Sequence, residues 1–86
     1  MQISLYPLGE DEIKEKLDIF WDTLREENIK FKITPLSTVA WDDDEEKLYL
    51  AVYKAFQNVR SACRAVMVTT TTTGSPDDIK ILLQYL

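Results

Sequence analysis

Hydroxyl side chains supply most of the chemistry this sequence can do. Thr69, Thr70, Thr71, Thr72 and Thr73 form an unbroken run, Ser4 and Tyr6 alternate near the start, and Ser37 and Thr38 stand side by side after Thr34. A hydroxyl both donates and accepts a hydrogen bond, so such groups gathered on one surface suit a small polar ring. They do not become nucleophiles without a base, and the sequence contains no histidine. That removes imidazole catalysis, Ser-His and Cys-His pairs and every His-containing metal site. Two glycines are too few for a Gly-rich phosphate loop, and lysines meet carboxylates only at helical ion-pair spacing. No catalytic residue, cofactor or metal ligand is expected, and an enzyme is disfavoured.

Charge narrows the partners. Lys and Arg total 10 against 15 Asp and Glu, a net charge of −5, which disfavours nucleic acid because its affinity comes from basic side chains on phosphates. The acidic run 42–46 lacks the glycine turn and spaced ligands of a calcium loop and reads as a helix start. No apolar run approaches the ~20 residues of a membrane span. Cys63 is the single cysteine, so no internal disulfide is possible; with no leader segment, a reducing, cytoplasmic setting is expected. A chain of 86 residues fits one small domain, 1–86.

The elements that must position the hydroxyls follow from periodicity. Residues 2–7 alternate, with Ile3 and Leu5 on one side, and Pro7 and Gly9 should stop the strand. Ile13, Leu17, Phe20, Trp21 and Leu24 form one stripe of a helix over about 11–27, with Asn28 as its left-handed end. Residues 29–34 and 37–41 read as two strands of a hairpin, with Pro35 in the turn. Leu48, Val52, Ala55, Phe56 and Val59 repeat the first helix's spacing, and Tyr49 and Tyr53 should cover that helix's boundary. Residues 65–73 are β-branched and read as the last strand. Ser75-Pro76-Asp77-Asp78 announces a short C-terminal helix.

The order βαββαβ predicts an α+β, ferredoxin-like sandwich. A four-stranded antiparallel sheet ordered 4-1-3-2 carries both helices on one face, and the short helix is extra. Side chains alternate along a strand, so Ser4 and Tyr6 should face away from the helices. Placing Val39, Trp41, Val66 and Val68 inward puts Thr38, Met67, Thr69, Thr71 and Thr73 on the open face. A hydroxyl-lined floor with an aromatic ring results, suited to a small heterocycle. The same face could instead serve a structural or regulatory homo-oligomer without a ligand, and an enzyme subunit acting with a partner is a third class. Trp21 and Trp41 read as core residues.

Three stretches, Ile3-Ser4-Leu5-Tyr6-Pro7-Leu8, Leu36-Ser37-Thr38 and Thr73-Gly74-Ser75-Pro76-Asp77, resemble in order and spacing the YkoF-type thiamine/hydroxymethylpyrimidine-binding domains. The likeness covers residues 2 to about 78. It implies a non-catalytic module that binds thiamine or a related pyrimidine and assembles into homo-dimers or tetramers through its sheets. By position it implies a pocket at Ser4, Tyr6, Thr34, Ser37, Thr38, Thr69, Thr71, Thr73 and Gly74. Three positions depart from the family's pattern: Thr34 replaces an acid, Asp42 a glycine and Ser75 a cysteine. The missing acid matters because an aminopyrimidine needs an acceptor for its exocyclic amine and a partner for its ring nitrogen.

Overall fold

A computed structural model of the chain describes residues 1–9, 11–72, 77, 78, 81 and 84. Its elements are β1 (Gln2–Leu8), α1 (Ile13–Glu26), β2 (Lys30–Ile33), β3 (Thr38–Trp41), α2 (Glu45–Ala62) and β4 (Arg64–Thr70). The strands form one antiparallel sheet ordered β2-β3-β1-β4, the ferredoxin-like arrangement expected from the sequence. The expected C-terminal helix falls largely outside the described residues. Among the described residues no helix is long and apolar enough to cross a membrane.

Both helices form for the reasons their stripes give. Phe20 and Leu24 of α1, and Leu48, Val52, Ala55 and Val59 of α2, are buried in a core shared with Ile3 and Ala40. Asp44 caps α2 by accepting a hydrogen bond from the Lys47 amide at 3.2 Å, and Asp42 accepts one from the Asp44 amide at 2.9 Å. The acidic run therefore serves the orphan amides of a helix start. At the other end of α1, Asn28 adopts φ 58°. Its amide donates to the Arg25 carbonyl, and the amide of buried Ile29 donates to the Leu24 carbonyl, both at 3.0 Å. This is the 6→1 and 5→2 closure of a helix on a left-handed residue.

The β1–β3 ladder is short. Met1 and Ala40 exchange hydrogen bonds, the Met1 ammonium donating to the Ala40 carbonyl at 2.8 Å and the Ala40 amide to the Met1 carbonyl at 2.9 Å. Every second residue of β1 from Met1, namely Ile3, Leu5 and Pro7, thus directs its backbone towards β3. The register reaches only Ile3↔Thr38, where β3 begins. Pro7 does not stop β1 as expected, because its missing N–H falls on the side with no neighbouring strand, while Tyr6 and Leu8 hold the ladder to β4.

Register also corrects the assignment of faces. Residues directly opposite in a ladder share a face, so buried Ile3 carries Thr38 on one side and Thr69 on the other to the helix face, and Leu5 carries Met67. Thr38 is buried at 6% exposure and Ala40 at 0%, whereas Val39 and Trp41 lie on the open face. Val66 and Val68, expected inward, are 46% and 54% exposed on the open face, opposite Tyr6 and Ser4. Residue type misleads because both faces of this sheet carry apolar side chains. Tyr49 and Tyr53, expected to cover the helix boundary, are 49% and 55% exposed.

Asn28→Ala places a Cβ-bearing residue without a local hydrogen-bonding side chain at positive φ. It should cost about 1 kcal/mol by urea denaturation, with Asn28→Gly at least as stable as the parent chain; equal stability of the two variants contradicts the left-handed closure.

Candidate functional site

Strands β2 and β3 are four residues long and β1 is seven, so β1 outruns the hairpin. A cleft of about 180 Å³ lies there, between α1 and the hairpin turn. Ile3, Leu5, Leu17, Phe20 and Trp21 form its apolar side, and the turn residues with Thr38 form its polar rim. The Leu5 N–H and C=O point to the side where β3 would continue.

The turn itself is closed by Thr34. Its hydroxyl accepts from the Ser37 amide at 3.0 Å and the Leu36 amide at 3.3 Å, and donates to the Ser37 carbonyl at 2.9 Å, which also accepts from the Thr34 amide at 2.8 Å. Pro35 and Leu36 are the two loop residues, with proline at the position whose φ it presets. Leu36 is 87% exposed. Ser37 Oγ lies 3.3 Å from Thr34 Oγ1 and accepts from Gln2 Nε2 at 3.1 Å, which ties the turn to β1. Trp21 Nε1 donates to Thr38 Oγ1 at 3.0 Å. The Thr38 hydroxyl, holding one donor and two acceptor sites, keeps a donor and an acceptor beyond that bond.

The expected site residues divide. Thr34, Ser37 and Thr38 come together in the cleft. Ser4 and Tyr6 lie on the open face in register with Val68 and Val66, so the expected common floor with Thr38 is not formed. Thr38 and Thr69 flank Ile3 on the helix face, and Thr69 does not line the cleft. Thr71 is exposed beyond the end of β4. Thr73 and Gly74 lie outside the described residues. Two participants escaped the sequence: Trp21, read as core in preference to a ligand platform, and the Leu5 backbone. The greater length of β1 than of β3 is the one trace of the second.

Among the described residues no ionisable side chain lines the cleft. Two described groups with shifted proton affinity lie elsewhere: burial holds the Met1 α-amine below its ordinary value, and a hydrogen bond from Lys54 to Glu27 raises the lysine. Among the described residues no cluster of acidic or cysteine side chains could hold a metal ion.

No protein-family model and no curated protein matches the chain.

Because the Trp21 indole N–H is spent on Thr38, Thr38→Val leaves a half-buried donor unpaired. Unfolding by urea should show a loss of about 1–2 kcal/mol. Trp21→Phe removes the donor itself, and in that background Thr38→Val should cost clearly less. Additive effects of the two substitutions contradict the bond.

Proposed function

We propose that this chain is a non-catalytic binding module for a small neutral heterocycle, and that the hydroxymethylpyrimidine moiety of thiamine is the ligand class it takes. The observation that carries the reading is the backbone of Leu5, which lines the cleft; by register its N–H and C=O are directed to the side where the ladder to β3 has ended, and no strand of the described residues lies beside them. A 4-aminopyrimidine offers a ring-nitrogen acceptor next to an amine donor, the complement of that pair. A backbone carbonyl thereby supplies the acceptor for which the family pattern uses an acid and this chain has Thr34. Apolar walls with a few placed polar groups are how small-molecule sites are built.

Size and charge narrow the ligand. At about 180 Å³ the cleft is smaller than the roughly 300–1,000 Å³ of sites for drug-sized ligands, so one ring is enclosed and the thiazolium of thiamine extends outside. A net charge of −5 favours that cation, and among the described residues no lysine or arginine lines the cleft to anchor a pyrophosphate. Thiamine should therefore bind at least as well as its pyrophosphate. The lone Cys63 supports a reducing, cytoplasmic setting.

The open face favours a second reading, a homo-oligomer with no small ligand. Tyr6, Leu8, Val66 and Val68 are exposed there.

Calorimetric titration with hydroxymethylpyrimidine separates the two readings. The parent chain should bind; Thr38→Val should weaken binding by about 0.5–1.5 kcal/mol, one neutral hydrogen bond; and Thr71→Val should bind as the parent does. Absence of binding to hydroxymethylpyrimidine and thiamine alike overturns the ligand reading.

A further inference from the structure

Ala65, Met67 and Thr69 share the helix face with Ile3 and Leu5, yet none of the three is buried. Ala65 and Met67 are half-buried at the margin of the core, and Thr69 is exposed. Among the described residues no strand lies beyond β4, so these side chains floor a trough that is open on its outer side. The same three residues direct their backbone N–H and C=O groups outward, because Arg64, Val66, Val68 and Thr70 spend theirs on Leu8, Tyr6, Ser4 and Gln2 of β1. The opposite edge, β2, carries Lys30 and Lys32 and ends before Pro35, protections against strand addition that β4 lacks between Arg64 and Thr70.

The wall of the trough is one flank of α2, the helix that packs on β4. Lys54 and Asn58 reach Glu27 and Thr23 of α1, and Leu48, Val52, Ala55 and Val59 are buried. At about 100° per residue, Glu45, Tyr49, Tyr53, Phe56 and Arg60 take the flank left over, away from α1. The chain reverses at Cys63 between α2 and β4. With a rise of about 1.5 Å per helical residue and about 3.3 Å per strand residue, Arg60 comes level with Ala65, Tyr53 and Phe56 with Met67, Tyr49 with Thr69, and Glu45 with the end of β4. Tyr49 and Tyr53 are about half exposed, and the Arg60 guanidinium lies over the Phe56 ring, 5.6 Å from its centroid. The trough is thus aromatic along its middle, acidic at the Glu45 end and basic at the Arg60 and Arg64 end. Among the described residues no carboxylate pairs with either arginine and no base pairs with Glu45.

We infer that this trough receives an extended peptide segment of another protein, added antiparallel to β4 as a fifth strand. Charge sets its direction and its ends. A segment antiparallel to β4 has its N-terminal end beside Glu45 and its C-terminal end beside Arg64, so it carries a basic residue first and an acidic residue last. Between them every second side chain stands beside Ala65, Met67 or Thr69 under the aromatic wall and is apolar, while the alternate ones follow Val66 and Val68 on the open face. The backbone of the segment supplies affinity by exchanging hydrogen bonds with the outward groups of β4, and the wall selects its side chains. A second copy of β4 sets Thr70 opposite Arg64, with no carboxylate in the strand to meet the basic end. β1 and β4 separate the trough from the cleft beside β3, so the two sites are independent.

Fluorescence anisotropy of an N-terminally labelled peptide, Lys-Thr-Val-Thr-Val-Thr-Val-Glu-amide, titrated with the full chain tests this. With its glutamate opposite Arg64, its valines face Ala65, Met67 and Thr69 and its lysine reaches the Glu45 end. Saturable binding with a Kd of roughly tens of micromolar or tighter is expected. The peptide with lysine and glutamate exchanged, and the peptide N-methylated at its central valine, should each bind at least about tenfold more weakly. Arg64→Glu should weaken the first peptide and strengthen one whose final glutamate is replaced by lysine, a reversal that a merely structural arginine does not produce; circular dichroism reports that the variant is folded. Absence of saturable binding up to about a millimolar overturns the inference, including a result in which a second copy already fills the edge. Binding that the N-methyl group or the charge exchange leaves unchanged overturns it equally, as does an Arg64→Glu chain that keeps the parent's preference.

Discussion

The β1–β3 ladder ends at Ile3↔Thr38 because the Thr34 hydroxyl takes the place of a carbonyl in closing the hairpin, accepting the Ser37 amide. A two-residue loop thus turns the chain back while β1 continues beside β4 for its full length. Three features follow from that one stop. Leu5 is left with backbone groups directed at an empty lane, Pro7 sits in a sheet without interrupting a ladder, and the space under the turn is walled by α1 instead of by a strand. Trp21 fixes α1 to the first residue of β3 through Thr38, so the width of the cleft is set by a side-chain hydrogen bond and by packing on Phe20 and Leu17.

Both faces of the sheet carry apolar side chains, and this organises the rest of the molecule. The helix face holds the core, with Phe20, Leu24, Ile3 and Val59 fully buried. The other face and the β4 edge remain uncovered by the described residues, and single apolar residues in such positions are ordinary. Here they are contiguous, running from Leu8 and Tyr6 across to Val66 and Val68, with Tyr49 and Tyr53 on the adjoining helix flank. Contiguous apolar surface of this kind marks contact with another molecule.

The strand and helix order was legible from periodicity, as were most of the stripes of α1 and α2, Ile13 being exposed and Phe56 half-buried, and the inward direction of Ile3 and Leu5; residue type gave a cap within the acidic run 42–46 and the left-handed Asn28. The faces of β3 and β4 were not. Thr38 and Ala40 look less apolar than Val39 and Trp41, yet the ladder from Ile3 decides which pair meets the helices. Thr69 and Met67 follow the same rule. Of the cleft, Thr34, Ser37 and Thr38 were indicated by position in the family resemblance, whereas strand parity alone put Thr38 on the wrong face. Leu5 was not found, since the direction of a backbone group leaves no mark on residue type; only the relative lengths of β1 and β3 encode it.

The central claim is that an aminopyrimidine pairs with the Leu5 backbone under the Thr34–Ser37 turn. Following backbone amide resonances during titration with hydroxymethylpyrimidine tests it most directly. The account predicts saturable shifts led by the Leu5 amide, with the Trp21 indole N–H and the Ser37 amide moving beside it and the Tyr6 and Val68 amides moving less. Saturable binding that shifts Tyr6 and Val68 while leaving Leu5 and Trp21 unmoved would place the ligand on the open face and contradict it.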